Sequence, residues 1–465
     1  MFIVFVVSTI GLYVYIYIRA DIVSRRPYLE IKSSPVTVHQ DHQHPASSST
    51  RPDTRTRTRR QFDGMERQWH GVYRKDFKLY AYSAFFDNRT LKSGFPNPKA
   101  PRIVIVGVWD RRKSSLYCGF YNDSSLLYVS ETRLLFSTIS MFGSALKYAF
   151  VIQCQATKGL ASYVSLEANE TRLYEKDAFK IPVEIPPRPK EMGEFLICIK
   201  EAYELHGSTM DPVEVTQLIE WVELNKLLGV DHIVVYNHSI TSKIGDVFRY
   251  YQDQGYMDIM QAGKLPSEKH PIKPARAVGI NDCLYRNMYS YRQIINIDMD
   301  EIIASPNATS YHELLDYLSS NSRYSRNHTI YLFHNQRYFL DAPQPSRDDH
   351  VAASRDFLMT QYAVMHVRPE SIGKRAKVIV APSLCLMLSP HACLRRVSGS
   401  FVMRVKPNLA VSYHYKSCRK SRRVNRPKNC SREFSTAVLD DSMTRFGAPL
   451  ETNVKRILLD MQDFV

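Results

Sequence analysis

The first half of the chain alternates short apolar runs with turn-forming residues. Runs with strand character fall at residues 79–86, 103–109, 125–129, 149–154 and 162–166. Asparagine, glycine and proline separate these runs, which is typical of antiparallel strands joined by turns. We therefore predict a β-rich N-terminal domain over residues 67–190. A stiff linker is expected at its end, where four prolines cluster: Pro182, Pro186, Pro187 and Pro189.

Beyond the prolines, strand-like and helix-like segments alternate. Apolar runs at 195–199, 232–236, 257–260 and 293–297 are separated by helical periodicity at 215–222, 244–251 and 277–289. The run Asp211-Pro212-Val213-Glu214 is typical of a helix start, and Gly229 of a helix end. Strands that alternate with helices favour a parallel sheet. We predict an α/β, Rossmann-like catalytic domain at 191–435, followed by a C-terminal helical segment at 436–465.

The last of these strands runs into the acidic stretch Asp298-Met299-Asp300-Glu301. In an extended strand residues i and i+2 share a face, so we expect the two aspartates to point together. Like charges this close repel unless a cation lies between them. The carboxyl end of a buried strand is also where open α/β sheets bind ligands. Carboxylates there suit Mg²⁺ or Mn²⁺, which stabilises a departing diphosphate. The alternative is a pair of solvated loop acids.

An ordered series of short motifs resembles glycosyltransferase family 92. The motifs are Tyr82-Ser83-Ala84-Phe85-Phe86-Asp87, Cys198-Ile199-Lys200-Glu201, Glu220-Trp221, Leu228-Gly229-Val230-Asp231-His232, Tyr236-Asn237, Asp282-Cys283-Leu284-Tyr285-Arg286, Ile297-Asp298-Met299-Asp300-Glu301, Lys377-Val378-Ile379-Val380-Ala381-Pro382 and His414-Tyr415. The resemblance covers roughly residues 77–420. It implies a nucleotide-sugar-binding domain of the GT-A fold. The implied reaction is inverting β-transfer of galactose from UDP-galactose, with Mn²⁺, to galactose or fucose on a glycan.

By that similarity Asp298 and Asp300 would hold the cation, and His414 is a candidate third ligand, since neutral imidazole is an acceptable Mn²⁺ ligand. A histidine hydrogen-bonded at a strand end is the alternative. Candidate donor contacts are Lys200, Tyr236, Arg286 and Asp298. Lys200 and Arg286 could equally be ordinary strand-end and helix-face cations.

Inversion requires a general base near the acceptor hydroxyl, most plausibly a carboxylate. Asp341 and Glu370 both follow the predicted metal strand, where acceptor-binding elements are expected. Nothing in their spacing selects either one, and each could be a plain surface acid. The competing function is a non-catalytic, lectin-like relative that binds glycans. A cytosolic nucleotidyl- or phosphoryl-transferase would share the acidic pair, but the chain lacks a Gly-rich phosphate loop.

The N-terminus predicts entry into the secretory pathway. Residues 1–18 are apolar and uncharged, and as a helix they would nearly span a bilayer core of roughly 30 Å. We predict a transmembrane signal-anchor there and a flexible, Ser- and Arg-rich stem at 19–66; a cleaved signal peptide is the alternative. The resemblance implies a single-pass Golgi protein of type II orientation, with its catalytic domain in the lumen.

Cysteines, sequons and charge bear on the same compartment. Eight cysteines permit complete pairing, with Cys118 and Cys154 as a candidate pair. Acceptor sequons for N-glycosylation, which matter only in the lumen, begin at Asn88, Asn122, Asn169, Asn237, Asn307, Asn327 and Asn429. The net charge is +16, with 62 Lys and Arg against 46 Asp and Glu. Six basic residues lie between Cys418 and Cys430 without interleaved aromatics, so nucleic acid is not an expected partner. The expected partners are a nucleotide sugar, a glycan and the membrane.

Overall fold

The computed structural model describes residues 69–461 with internal gaps. The gaps are 74–77, 90–99, 110–115, 124, 140–147, 176–177, 203–214, 239, 241–242, 264–272, 321, 323–324, 341, 343–358, 360–362, 367, 417, 419–429, 436 and 441. The predicted anchor, the stem, the helix start at 211–214 and Asp341 lie outside the described residues. Within the described part of the chain, no helix has the length and apolar character needed to cross a membrane. Residues Arg59–Val465 make up one compact unit.

An eight-stranded sheet forms the N-terminal part of this unit. Its strands are β1 (His70–Tyr73), β2 (Lys78–Asp87), β3 (Arg102–Trp109), β4 (Tyr117–Asn122), β5 (Ser125–Ile139), β6 (Tyr148–Gln155), β7 (Tyr163–Glu167) and β8 (Ile181–Glu184). Their order is β1-β2-β3-β6-β5-β4-β7-β8, and β2 also pairs with β8. All five predicted strands are present, because their alternating apolar residues pack into one core.

Strands β1, β4 and β8 of this sheet were not predicted from the sequence. Strand β4 lies between β5 and β7, and the Cys118–Cys154 disulfide ties it to β6. Pro182 lies inside β8 and not in a linker, because Ile181–Glu184 pairs with β7 on one side and with β2 on the other. The proline-rich segment therefore begins as part of the sheet.

The rest of the unit contains both strands and helices. The strands are β9 (Gly193–Ala202), β10 (His232–Asn237), β11 (Met257–Gln261), β12 (Tyr291–Asn296), β13 (Glu301–Ala304), β14 (Thr329–Phe333), β15 (Asn335–Phe339), β16 (Ala363–His366), β17 (Lys377–Val380), β18 (Cys385–Ser389), β19 (Ala392–Arg396), β20 (Phe401–Arg404), β21 (Val411–Lys416) and β22 (Ala437–Asp440). The helices are α1 (Val215–Leu227), α2 (Lys243–Asp253), α3 (Lys273–Arg286), α4 (Tyr311–Ser320), α5 (Ser431–Ser435) and α6 (Gly447–Asp460). In the described residues, strands and α-helices alternate from β9 to β12, and eight strands, β14 to β21, lie between helices α4 and α5.

The central sheet has the order β11-β10-β9-β12-β17-β14-β20. Its first four strands are mutually parallel, as the predicted alternation of strands and helices requires. The strand β12 is buried at Ile294 and Ile295 on both faces, which explains its nearly continuous apolar sequence. The strand β17 pairs antiparallel with β12, so the sheet as a whole is mixed.

A smaller five-stranded sheet, ordered β13-β21-β15-β16-β22, adjoins the end of β12. Its strand β22 lies in the predicted C-terminal helical segment, which therefore contains a strand before α6. Helix α3 packs on β9 of the central sheet and also on β2, β3 and β6 of the N-terminal sheet. The apolar residues of both sheets meet around it in one core cluster. The predicted boundary near residue 190 thus falls inside a single compact unit.

Helix α3 lies unusually close to β9. Gly279 faces the backbone of Lys200, and a Cβ atom there would lie 2.7 Å from the Lys200 carbonyl oxygen. The Cys198–Cys283 disulfide joins the same strand and helix. Glycine and the disulfide together hold the carboxyl end of β9 against α3, which fixes the backbone that carries Lys200.

Candidate active site

We predicted that the acidic stretch lies in a strand, but the structure places it in a turn. Strand β12 ends at Asn296 and β13 begins at Glu301. The Glu301 amide donates to the Asp298 carbonyl at 3.0 Å, and the Glu301 Oε2 atom accepts from the Asp298 amide at 3.0 Å. These reciprocal bonds close the turn, because the short hydrogen-bonded loop leaves no room for extended backbone. Glu301 thereby shapes the loop that presents both aspartates.

Asp298 is held by two lysines. Its Oδ1 atom accepts from the Lys200 ammonium, and its Oδ2 atom accepts from the Lys377 ammonium at 2.6 Å. The two lysine side chains are 3% and 1% exposed, whereas the Asp298 side chain is 43% exposed. Lys200 comes from the end of β9 and Lys377 from the start of β17, on opposite sides of β12. Both strands neighbour β12, which is why these lysines meet the acidic turn.

Asp300 meets the predicted histidine. The His414 Nε2 atom lies 3.1 Å from the Asp300 Oδ2 atom. The register of β13 against β21 places His414 directly opposite Glu301, and the Tyr415 amide donates to the Asp300 carbonyl at 2.9 Å. The sheet pairing therefore fixes the backbone on both sides of this contact. The structure places the candidate third ligand His414 beside Asp300, and its role in binding a cation stays a prediction.

Glu301 completes a group that fits a divalent cation. One ligand atom from each of Asp300, Glu301 and His414 lies within 4.8 Å of the others. The His414 Nδ1 atom lies 3.5 Å from Glu301 Oε1, and the Asn335 amide donates to that same oxygen at 3.2 Å. With its proton on Nδ1, beside Glu301, His414 would bind a cation through Nε2 in place of the hydrogen bond that Nε2 makes to Asp300 here. Carboxylates with one imidazole suit Mg²⁺ or Mn²⁺.

The charges of the cluster perturb its pKa values in opposite directions. Burial would raise the pKa of Asp298, but the Lys200 and Lys377 ammonium groups outweigh it and hold that pKa well below its usual value. At Asp300 burial likewise raises the pKa, and the His414 contact lowers it overall. Burial dominates at Glu301 and raises its pKa. Burial also lowers the pKa of the Lys200 ammonium group, although Asp298 opposes that shift.

Two predicted donor contacts lie in a separate buried network. The Tyr236 hydroxyl donates to Asp282 Oδ2 at 2.5 Å, and Arg286 donates to both Asp282 oxygens at 2.9 Å. The Arg286 guanidinium also reaches Glu184 of β8 at 2.5 Å. Asp282 is fully buried. This network links the N-terminal sheet to α3 and β10, so Tyr236 and Arg286 are engaged there and not on the acidic turn. Their roles as donor contacts remain predictions.

Glu370 lies beside the site. Its carboxylate is 3.1 Å from Arg337 and 3.3 Å from Arg375, and its amide donates to the Asn335 carbonyl at 2.8 Å. Arg337 pairs in register with His414 on the neighbouring strand β21, so Glu370 stands one strand away from the candidate metal ligands. The other candidate base, Asp341, lies outside the described residues.

The sequence analysis did not predict that Lys377 and Asn335 belong to the site. It also did not predict Glu301 as a metal ligand. A signal existed for Lys377, because it is a lysine at the start of the otherwise apolar strand Lys377–Val380. Such a position buries an ammonium group, which is costly unless an acid is near. No comparable signal marks Asn335, which precedes an ordinary strand.

Comparison with known sequences identifies the class. The family description "Glycosyltransferase family 92" matches residues 206–450, more than half of the chain. The protein therefore belongs to glycosyltransferase family 92, as the motifs predicted, and the acidic turn, Lys377 and His414 lie inside the matched region. Lys200 and the N-terminal sheet lie before it.

Comparisons outside the family add little. No curated protein matches the chain. Among solved structures, a UDP-glucose pyrophosphorylase from Acinetobacter baumannii aligns with 7% identity over 58% of this chain and 95% of its own, with a TM-score of 0.23. A UTP-bound UGPase from the same organism aligns with 8% identity over 58% and 94%, with a TM-score of 0.22. Likeness at this level supports no conclusion about this chain.

Proposed function

We propose that the protein is a divalent-cation-dependent, inverting β-galactosyltransferase of the GT-A fold that uses UDP-galactose. Family membership supplies the transferase class. The observation that supports metal dependence is the convergence of Asp300, Glu301 and His414 at the carboxyl end of a buried parallel strand. That end of an open α/β sheet is the usual place for a nucleotide ligand. The proposed acceptor is a galactose or fucose residue of a glycan.

In this reaction the bond between galactose C1 and the UDP oxygen breaks, and a bond from C1 to the acceptor oxygen forms. The acceptor hydroxyl loses its proton to a general base, and UDP leaves with the electron pair. Mn²⁺, when bound, supplies stabilisation of the charge on the leaving diphosphate. Asp300 and His414 would hold it, with Glu301 as ligand or as the group that orients the imidazole. Of the two candidate general bases, Glu370 is the one that lies among the described residues.

We further propose a lumenal Golgi location, anchored by residues 1–18. All eight cysteines are paired, as Cys118–Cys154, Cys198–Cys283, Cys385–Cys393 and Cys418–Cys430. Four disulfides favour an oxidising compartment. Five sequon asparagines are exposed: Asn88, Asn122, Asn169, Asn307 and Asn327. Sensitivity of the cellular protein to endoglycosidase tests the compartment, and unmodified protein in the cytosol would refute it.

The catalytic proposal is tested with purified protein, a panel of UDP-sugars and a panel of glycans. Mass spectrometry of the glycans should show the addition of one hexose from UDP-galactose in the presence of Mn²⁺. Transfer from UDP-glucose in preference would overturn the donor assignment while leaving the class intact. Glycan binding without transfer from any donor would favour the lectin-like alternative.

A further inference from the structure

The arrangement around Asp298 is unusual for a residue expected to bind a metal. Both of its carboxylate oxygens already accept from ammonium groups, Lys200 on one and Lys377 on the other. A cation bound directly to this carboxylate would stand beside two further positive charges, which repel it. Asp300, by contrast, pairs with the His414 imidazole, and no described lysine forms an ion pair with it. The two aspartates of the motif therefore have different electrostatic surroundings.

The two lysines retain hydrogen-bonding capacity. An ammonium group has three N–H donors. Among the described residues, Lys200 donates one bond, to Asp298, while Lys377 donates to Asp298 and to Glu301. Their side chains are nearly inaccessible to bulk water, so the remaining donors are not fully satisfied by solvent. An unsatisfied buried donor is unfavourable, and a bound anion at the exposed side of Asp298 would satisfy it.

We propose that Lys200 and Lys377 are the diphosphate-binding residues of the donor site, and that Asp298 positions them and does not bind the cation. The inference rests on the proposed function, since it assigns parts of the same site. Asp298 holds the ammonium groups side by side at the edge of the acidic turn. The diphosphate oxygens of a nucleoside diphosphate accept the donors that Asp298 and Glu301 leave free. The cation is bound on the other side of the turn by Asp300, with His414 and Glu301.

The two lysines differ in the carboxylates that they contact. Lys377 spans Asp298 and Glu301, so it joins the two halves of the cluster. Among the described residues Lys200 forms an ion pair with Asp298 alone, so its removal leaves Asp298 still paired with Lys377. Lys200→Met is therefore the least disruptive variant with which to test the pair. Lys374→Met, at an exposed lysine close in sequence to Lys377, is the matched control.

The test compares UDP with uridine, which lacks the diphosphate, by calorimetry on the full-length protein in EDTA. Wild type and Lys374→Met should bind UDP about tenfold or more tightly than uridine, the strength of one or two charge-assisted hydrogen bonds. Lys200→Met should lose most of this preference without a change in uridine affinity. Lys200→Arg keeps the charge and should retain it. A second arm measures Mn²⁺ binding by electron paramagnetic resonance, without any turnover.

In that arm Asp298→Asn should keep its Mn²⁺ affinity within about threefold of wild type, whereas Asp300→Asn should lose about tenfold or more. Equal UDP and uridine affinities in the wild type, or an unchanged preference in Lys200→Met, would overturn the lysine assignment. A loss of Mn²⁺ by Asp298→Asn equal to that of Asp300→Asn would overturn the role of Asp298. Each of these outcomes is compatible with galactose transfer by the wild type, so the proposed function would stand. Absence of both UDP binding and transfer in the wild type would refute the proposed function as well.

Discussion

Replacement of Asp300 by asparagine separates a catalytic role from a structural one. The amide has the shape of the carboxylate and can still accept a hydrogen bond from His414 Nε2, which lies 3.1 Å away. The Asp300 side chain is 45% exposed, and an ion pair of that exposure contributes about 0.2–1 kcal/mol to stability. We therefore expect the free energy of unfolding to change by about 1 kcal/mol or less.

The effect on catalysis should be much larger. Loss of a group that only orients a metal ligand reduces affinity or activity about 10–100-fold. Loss of a direct anionic ligand should reach the upper end, about 100-fold in kcat/KM, which corresponds to roughly 2.7 kcal/mol. A small change in the free energy of unfolding together with a large loss of transfer would indicate that Asp300 is a metal ligand.

The assay is transfer of galactose from UDP-galactose in Mn²⁺, with urea unfolding measured on the same preparations. Asp316→Asn is the matched control, because Asp316 is an exposed acid paired to Arg326 at 3.3 Å on helix α4, away from the acidic turn. It should match wild type in both measurements. Asp300→Asn with transfer within threefold of wild type would refute the metal assignment. Equal losses of stability and activity would instead indicate a folding defect.

Three other predictions concern the surroundings of the site. EDTA should abolish transfer and added Mn²⁺ should restore it; full activity in EDTA would contradict metal dependence. Gly279→Ala should destabilise the fold by about 1–3 kcal/mol and weaken UDP binding, because its Cβ atom would lie 2.7 Å from the Lys200 carbonyl oxygen. Urea unfolding and calorimetry measure the two effects, and a stable variant with wild-type affinity would refute the prediction. Asp87→Asn should cost about 3–5 kcal/mol, since Asp87 is fully buried against Arg89 at 2.9 Å.

That last pair also predicts a pH dependence of stability. Burial would raise the pKa of Asp87, but Arg89 and Arg102 lower it below the ordinary value of 3.8. A carboxyl with a depressed pKa in the folded state contributes stability that is present above its ordinary pKa and lost as the pH falls through the folded value. The free energy of unfolding, measured from pH 6 to pH 3, should therefore decrease less steeply for Asp87→Asn than for wild type. Parallel curves would show that this carboxyl does not contribute.

The order of elements could be predicted from the sequence because it depends on local pattern. Strand β12 is a run of apolar residues, and Gly229 and Gly255 follow α1 and α2 with positive φ angles of 94° and 70°, which glycine adopts easily. The position of the acidic residues after β12 followed from the same pattern. Their backbone conformation did not, because the turn is closed by the side chain of Glu301, and a strand and a tight turn look alike over three residues.

The partners of the acidic residues depend on the tertiary structure alone. Lys200 and Asp298 are 98 residues apart, Lys377 and Asp298 are 79 apart, and His414 and Asp300 are 114 apart. No local periodicity encodes such distances. The sheet order decides them, because β9 and β17 flank β12 and β21 pairs with β13. Local sequence patterns were enough to predict the family and the acidic motif, whereas strand pairing establishes which charges surround each aspartate.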